Sequence, residues 1–222
     1  MISDTRKEPS LNIKRYSREE ERLNILSHGL GLVLSVLACI LLVVHAVSHG
    51  TVWHIFSFSI FGFSLVTLYA VSTCYHSATN LEFRIKMKIM DHSAIYVLIA
   101  GSYTPFALVT LKGSIGWTIF FTTWGMAAIG ITLKIFFTGR YSLVSTIMYV
   151  LMGWVIVFAI KPLLASFPLQ GFYWLVASGL TYTLGAVVYS IKTIKMNHAI
   201  FHVFVMIGSF CHFVSVYFYV LP

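Results

Sequence analysis

An uncharged stretch of 59 residues, from Leu23 to Leu81, is the strongest constraint in this sequence. A helix needs about 20 apolar residues to cross a bilayer, so the stretch is long enough for two crossings, with a break near residues 48–50. Five more uncharged windows follow, at 92–111, 113–133, 141–160, 162–191 and 196–222. Each window holds one crossing, so the sequence predicts seven membrane-spanning helices.

The composition agrees with this interpretation. Hydrophobic residues make up 58 % of the chain and charged residues only 10 %, whereas soluble domains carry about 25 % charged residues. A soluble globular domain, a disordered chain and a collagen-like fibre are excluded. We predict an all-α integral membrane protein, a seven-transmembrane helix bundle, with a tail over residues 1–22 and a single domain over 23–222. The approximate spans are 23–46, 52–77, 91–111, 115–137, 142–162, 170–191 and 198–219.

The basic residues predict the orientation of this bundle. The net charge is +8, and 13 of the 15 Lys and Arg residues fall in the tail and in the connections 2–3, 4–5 and 6–7. The other side holds only Lys112 and Lys161. Because cytoplasmic loops are rich in Lys and Arg, we expect a cytoplasmic N-terminus and an external C-terminus. The positive charge is therefore explained without a nucleic-acid partner.

Two histidines at the start of the seventh predicted span have the spacing of metal ligands. His198 and His202 are separated by four positions, which places their imidazoles on one helix face, about one turn apart. Two imidazoles placed in this way can reach one metal ion. The same spacing also arises by chance. His212 lies deeper and on another face, and we interpret it as an interhelical hydrogen-bonding residue.

Topology connects these histidines with other polar residues. His76 closes the second span and Asp91 opens the third, so both are expected at the cytoplasmic depth of His198 and His202. Three neutral imidazoles with an open fourth position are the ligand set of a catalytic zinc site. A nearby carboxylate suits deprotonation of water, and Ser72, one turn deeper, suits donation to a carbonyl. Locally, Asp91 also fits a helix cap, and the Ser72 hydroxyl fits a bond to its own helix.

A polar stripe begins the first span at the same side. Glu21, Asn24 and His28 are spaced i, i+3 and i+7, so they share one helical face. One interpretation is a polar brace behind the metal ligands. The other is a solvated Glu21 with an Asn24 that caps the helix or bonds between helices.

These residues together resemble the hemolysin III family, the bacterial branch of the progestin and adiponectin receptor superfamily, which is related to alkaline ceramidases. The resemblance extends over nearly the whole chain from Glu21 onwards. It rests on four ordered motifs, Glu21-x-x-Asn24-x-x-x-His28, Ser72-x-x-x-His76, Asp91 and His198-x-x-x-His202.

The resemblance implies a multi-pass protein of the bacterial plasma membrane with a cytoplasmic N-terminus. It implies zinc (Zn2+) held by His76, His198 and His202, with Asp91 contacting the zinc water and Ser72 beside the site. It also implies that a membrane lipid is the substrate or ligand. Protein partners are not indicated.

Three functions remain open at this stage. The first is a zinc-dependent hydrolase of lipid amides or esters, with Asp91 as general base, acting in membrane-lipid homeostasis. The second is a non-enzymatic sensor or regulator of the membrane state, in which zinc is structural. The third is a pore-forming cytolysin, a hemolysin in the literal sense, which the lack of barrel-like alternation disfavours.

Overall fold

A computed structural model describes residues 16–137 and 142–221. Most of the predicted tail, residues 1–15, lies outside the described residues, and so does Arg140 in the predicted connection 4–5. Within the described ranges all regular structure is helical. The helices are α1 (Arg18–His49), α2 (Val52–Ser77), α3 (Leu81–Pro105), α4 (Gly113–Phe137), α5 (Ser142–Gly153), α6 (Ile160–Ser166), α7 (Leu169–Ser190) and α8 (Asn197–Tyr219).

Seven crossings are present in the described part of the chain, each long and apolar enough to span a membrane. The third crossing is α3 with a π-helical extension, Phe106–Leu111, and the fifth combines α5, a short 3-10 segment (Val155–Ala159) and α6. The predicted seven-helix bundle is therefore confirmed.

Two helices begin earlier than the predicted spans. The α1 helix starts at Arg18 because the Ser17 side chain accepts a hydrogen bond from the Glu20 amide, which caps the helix. The α3 helix starts at Leu81, capped in the same way by Asn80. Asp91 consequently lies in the middle of α3, and its interpretation as a helix cap is wrong.

The break in the fifth crossing has an identifiable cause. The Tyr103 hydroxyl, on α3, donates to the Gly153 carbonyl at 2.6 Å and accepts from the Ile156 amide at 3.0 Å. Both backbone groups lie where α-helical bonding is interrupted, so a side chain from α3 replaces the missing partners. These two hydrogen bonds of Tyr103 hold the fifth crossing against α3.

The α3 crossing is the core of the bundle. In its most apolar window 72 % of the residues are buried, against 17 % for the fifth crossing and for α7. In the α2 and α8 helices, 50 % and 56 % of the residues in the corresponding window are buried. Chain direction places the end of α2 and the starts of α1, α3 and α8 at one end of the bundle, and the candidate site lies there.

Close packing of α1 on α2 depends on a small residue. A Cβ atom built at Gly62 would lie 2.7 Å from the Cys39 Sγ atom and 3.0 Å from its Cα atom. Membrane helices approach this closely only where small residues line the interface.

We expect Gly62→Val to destabilise the protein by about 1–3 kcal/mol, the usual range for overpacking. Thermal unfolding of the purified protein in detergent measures this. Gly125→Val is the matched control, since a Cβ at Gly125 meets nothing within 4 Å. Equal melting temperatures for the two variants would contradict the packing of α1 on α2.

Candidate metal centre

The first two turns of α8 carry two of the candidate ligands. Asn197 begins the helix, and its side-chain amide donates to the backbone carbonyls of Tyr189 (2.8 Å) and Ile191 (3.3 Å) at the end of α7. The start of α8 is therefore fixed to its neighbour. His198 and His202 are both buried and point towards the interior, with ring centroids 4.5 Å apart.

His76, near the end of α2, completes a group of three. One ring nitrogen from each of His76, His198 and His202 lies within 4.8 Å of the others. The Nε2 atoms of His76 and His198 are 3.1 Å apart. Tetrahedral zinc with bonds of about 2.0–2.1 Å separates its nitrogen ligands by about 3.3 Å. The three imidazoles therefore form a group that could hold one metal ion.

A carboxylate sets the orientation of the His76 ring. Glu21, on α1, accepts a hydrogen bond of 2.6 Å from the His76 Nδ1 atom. Its other carboxylate oxygen accepts from the Arg84 guanidinium on α3. With the proton held on Nδ1, the His76 Nε2 atom presents its lone pair to His198. A carboxylate behind a ligating histidine is the usual arrangement in metal sites, where it raises ligand basicity.

His202 is supported by α1. The His28 ring stacks on it with centroids 3.4 Å apart and an interplanar angle of 15°. The Ser27 hydroxyl lies 3.4 Å from the His202 Nδ1 atom. Neither ring nitrogen of His28 has a hydrogen-bond partner among the described residues. The face of α1 predicted from its polar spacing is therefore directed at the three-histidine group.

Asn24 takes part in the same contacts. It is fully buried, and its side-chain amide lies 3.3 Å from the His76 Nδ1 atom. Because the His76 Nδ1 atom already donates its proton to Glu21, the Asn24 N–H cannot donate to it, and a hydrogen bond from Asn24 between helices stays a prediction. The alternative for Glu21, a solvated side chain, is wrong, because its carboxylate bridges α2 and α3.

Tyr16 covers the group from outside the bundle. Its ring stacks on the His198 ring, with centroids 4.8 Å apart and an interplanar angle of 23°. Burial raises the pKa of the Tyr16 hydroxyl well above its usual value. Tyr16 therefore presents a neutral aromatic face to the candidate ligands.

Ser72 and Asp91 line a cavity inside the bundle, of about 200 Å³, together with His198 and His202. The Ser72 hydroxyl is buried and bonds to no group in the described part of the chain, so the expected bond to its own helix is wrong. The neighbouring Thr73 makes that bond instead, to the Tyr69 carbonyl. The Asp91 carboxylate is buried, 3.8 Å from the His92 ring.

His212 has the structural role that its position predicts. Its Nε2 atom donates to the Ser102 carbonyl on α3 at 3.0 Å, and its Nδ1 atom accepts from the Ser178 hydroxyl on α7 at 3.2 Å. It joins three helices through neutral hydrogen bonds and lies outside the three-histidine group.

Sequence reasoning missed three residues at the centre, Tyr16, Ser27 and Arg84. Ser27 lies three positions after Asn24, on a neighbouring part of the polar stripe, so its spacing was a usable signal. Arg84 and Tyr16 carry no such signal. Arg84 was assigned to a loop, and its partner Glu21 is 63 positions away.

Known proteins share much of this sequence. A family model described as "Haemolysin-III related" matches residues 16–213. The chain belongs to this family. It is 45 % identical over 204 residues to "Hemolysin-3" of Bacillus cereus, covering 92 % of this chain and 93 % of the relative. The "Hemolysin-3 homolog" of Bacillus subtilis (strain 168) is also 45 % identical over 204 residues. The match covers 92 % of this chain and 96 % of that relative.

A more distant similarity places this haemolysin-III-related protein in a wider group. It is 27 % identical over 206 residues to the human "Monocyte to macrophage differentiation factor", covering 90 % of this chain and 84 % of that protein. This fits the superfamily of progestin and adiponectin receptors. Together with the seven apolar helices, the bacterial relatives identify a multi-pass bacterial membrane protein.

We expect Glu21→Gln to weaken metal binding by about 10–100-fold, because neighbouring carboxylates of ligating histidines contribute on this scale. Equilibrium titration of the purified protein against a competing chelator measures the change. Glu82→Gln is the control, since the Glu82 side chain is 78 % exposed and pairs only with Lys86 among the described residues. Equal affinities for the parent and Glu21→Gln would show that Glu21 does not support the metal ligand.

Proposed function

We propose that this haemolysin-III-related protein is a zinc-dependent hydrolase of lipid amides or esters, with its site at the cytoplasmic end of the bundle. The observation that carries the proposal is the shared cavity. A carboxylate (Asp91), a hydroxyl without a partner in the described chain (Ser72) and two of the three clustered imidazoles line one largely apolar cavity. Burying such polar groups inside a membrane bundle is unfavourable, so each calls for a functional explanation.

Zinc is the metal that this donor set favours. Neutral imidazoles suit zinc among the common metals, and three protein ligands leave the fourth position open in catalytic zinc sites. A bound zinc ion supplies Lewis acidity for a carbonyl group and for a nucleophilic water.

The residues around the zinc position then have distinct roles. The Asp91 carboxylate accepts a proton from the attacking water and returns it to the leaving group. The Ser72 hydroxyl donates a hydrogen bond to the carbonyl oxygen, which develops negative charge during attack. Glu21 holds the proton on the His76 Nδ1 atom, so that Nε2 remains available as a ligand.

The walls of the cavity favour a lipid substrate. Most of the lining side chains are apolar, and they come from the central part of the bundle, such as Leu98, Phe106 and Leu163. An acyl chain can occupy such walls, with its amide or ester carbonyl at the polar end. A soluble, highly polar substrate would have to give up its hydration there.

Asp91→Asn tests the hydrolase directly. We expect purified parent protein to hydrolyse at least one lipid in a panel of ceramides and phospholipids, and to lose this activity with a chelator. Loss of a general base lowers turnover by about 10²–10⁴-fold. The turnover rate of Asp91→Asn should therefore fall by this factor, while the variant keeps its zinc. Glu82→Gln should behave as the parent. Parent protein that contains zinc but hydrolyses no lipid in the panel would contradict the proposal.

A second candidate function is a membrane-state regulator with structural zinc. The observation that favours it is the origin of the ligands on two helices, α2 and α8, which a metal ion would brace together. The Asp91→Asn variant separates the two candidates. A regulator would keep its cellular phenotype in this variant, whereas a hydrolase would lose it.

The name of the Bacillus cereus relative suggests lysis as a third possibility. Pore formation by this chain would release dye from liposomes at low protein-to-lipid ratios. We expect no such release, since many polar side chains of the described bundle are buried between its helices and large apolar side chains are exposed on its outside.

A further inference from the structure

A second polar side chain lines the cavity without a partner, and the proposed reaction gives it no role. His28, on α1, is 3 % exposed, and neither of its ring nitrogens bonds to any group in the described part of the chain. It lines the same cavity as Asp91 and Ser72. Histidines inside membrane bundles are rare and mark functional sites by default. His28 therefore calls for an explanation beyond its packing against the candidate ligands.

Aromatic contacts hold the His28 ring in place. One face stacks on His202 with centroids 3.4 Å apart, and the Tyr69 ring packs at an angle of 83° with centroids 5.0 Å apart. Tyr69 is itself joined to α8, because its hydroxyl donates to the Ser209 hydroxyl at 2.9 Å. The ring is thus positioned by its neighbours, while both nitrogens remain available for hydrogen bonds.

His28 and Ser72 lie at the same level of the bundle. One turn before His28, the side-chain nitrogen of Asn24 lies 3.3 Å from the His76 Nδ1 atom. The α2 helix runs in the opposite direction to α1, and His28 itself packs against Tyr69. Ser72 lies about one turn from both His76 and Tyr69 on α2, which places it at the level of His28. Two buried polar groups without partners, from two helices, therefore line the cavity at one depth.

The chemistry of a neutral imidazole limits what can pair with it. One ring nitrogen donates a hydrogen bond and the other accepts one. The accepting nitrogen needs a donor in the ligand. Hydroxyl groups and secondary amides carry such a donor, whereas esters, ethers and the head group of phosphatidylcholine do not. Most of the other lining residues are apolar, so the donor that fits is one attached to a hydrocarbon chain.

We propose that His28 is a specificity-determining residue, which accepts a hydrogen bond from a hydroxyl or amide N–H group at the polar end of the lipid. This inference rests on the proposed function for the identity of the occupant, and it names the substrate class, acyl lipids with a neutral hydrogen-bond donor. A lipid without this donor leaves the buried acceptor of His28 unpaired, which is unfavourable. The Ser72 hydroxyl remains the donor to the carbonyl oxygen.

Binding of matched lipid pairs tests this inference. One pair is oleyl alcohol and oleyl methyl ether, and the other is N-methyloleamide and N,N-dimethyloleamide. Within each pair, a methyl group replaces the donor hydrogen. The full chain, purified in a neutral detergent, is titrated with each probe, and bound lipid is counted by native mass spectrometry. We expect the donor-bearing member of at least one pair to bind about tenfold more tightly. The pair with the larger difference tells whether a hydroxyl or an amide is preferred.

Substitution then assigns the preference to His28. His28→Phe keeps an aromatic ring against His202 and removes both nitrogens, so the preference should disappear while the zinc content stays at the parent level. Replacing a buried polar group that has no partner by an apolar one is close to neutral for stability, so the melting temperature should stay near that of the parent. A residue with a structural role alone would lower it.

Two further variants and a control complete the experiment. His28→Asn and His28→Gln each place a polar amide close to the position of one ring nitrogen, and the variant that restores the preference identifies the accepting nitrogen. His49→Phe is the matched control, since it makes the same change at an exposed position at the other end of α1. It should keep the preference of the parent.

Two results would overturn the inference. One is equal affinity of the parent protein for both members of each pair, as expected if only water occupies the position beside His28. This comparison needs no variant and holds even if His28→Phe fails to fold. The other is an unchanged preference in folded His28→Phe. Selective binding without hydrolysis of any lipid would contradict the hydrolase and keep the role of His28, and hydrolysis without selectivity would do the reverse.

Discussion

The hydrogen bond between Glu21 and His76 is the contact on which the candidate site depends. It joins α1 to α2, and the second oxygen of the same carboxylate joins α3 through Arg84. It also decides which nitrogen of His76 faces His198. Because the His76 side chain is fully buried, no water can replace the Glu21 carboxylate as its partner, so the polar groups at this end of the helices must meet one another. The same need for polar partners inside the bundle brings His198 and His202 together.

The sequence predicts much of this architecture because membrane insertion leaves few choices. Uncharged runs define seven crossings, and alternation of the connections brings His76, Asp91 and the α8 histidines to one end. The i, i+4 spacing of His198 and His202 predicts their shared face without any tertiary information. These arguments depend on the length of the uncharged runs and on the helical spacing of residues, which are local properties of the chain.

Other features depend on contacts between distant residues and were not predictable in this way. The start of α3 was placed ten residues too late, because the charges of its first turns resemble a loop. The pairing of Arg84 with Glu21 and the break in the fifth crossing, held by Tyr103, each require knowledge of a neighbour at least 50 positions away. Asp91 was expected at the start of the third span, and its position in the middle of α3 was missed.

The cavity brings the candidate catalytic groups together. Two of the three clustered imidazoles, His198 and His202, line it with Asp91 and Ser72, and most of its remaining walls are apolar. Under the proposed function, a lipid with its acyl chain along these walls would bring its carbonyl linkage near Asp91.

The central claim is that three imidazoles of this chain hold one zinc ion. X-ray absorption spectroscopy at the zinc edge, combined with metal analysis of the purified protein, tests it most directly. The account predicts one zinc per chain, with nitrogen ligands at about 2.0–2.1 Å whose number falls in His202→Gln but not in His49→Gln, where the substituted histidine lies at the opposite end of α1. Protein purified without stoichiometric zinc, or zinc whose coordination is unchanged in His202→Gln, would contradict it.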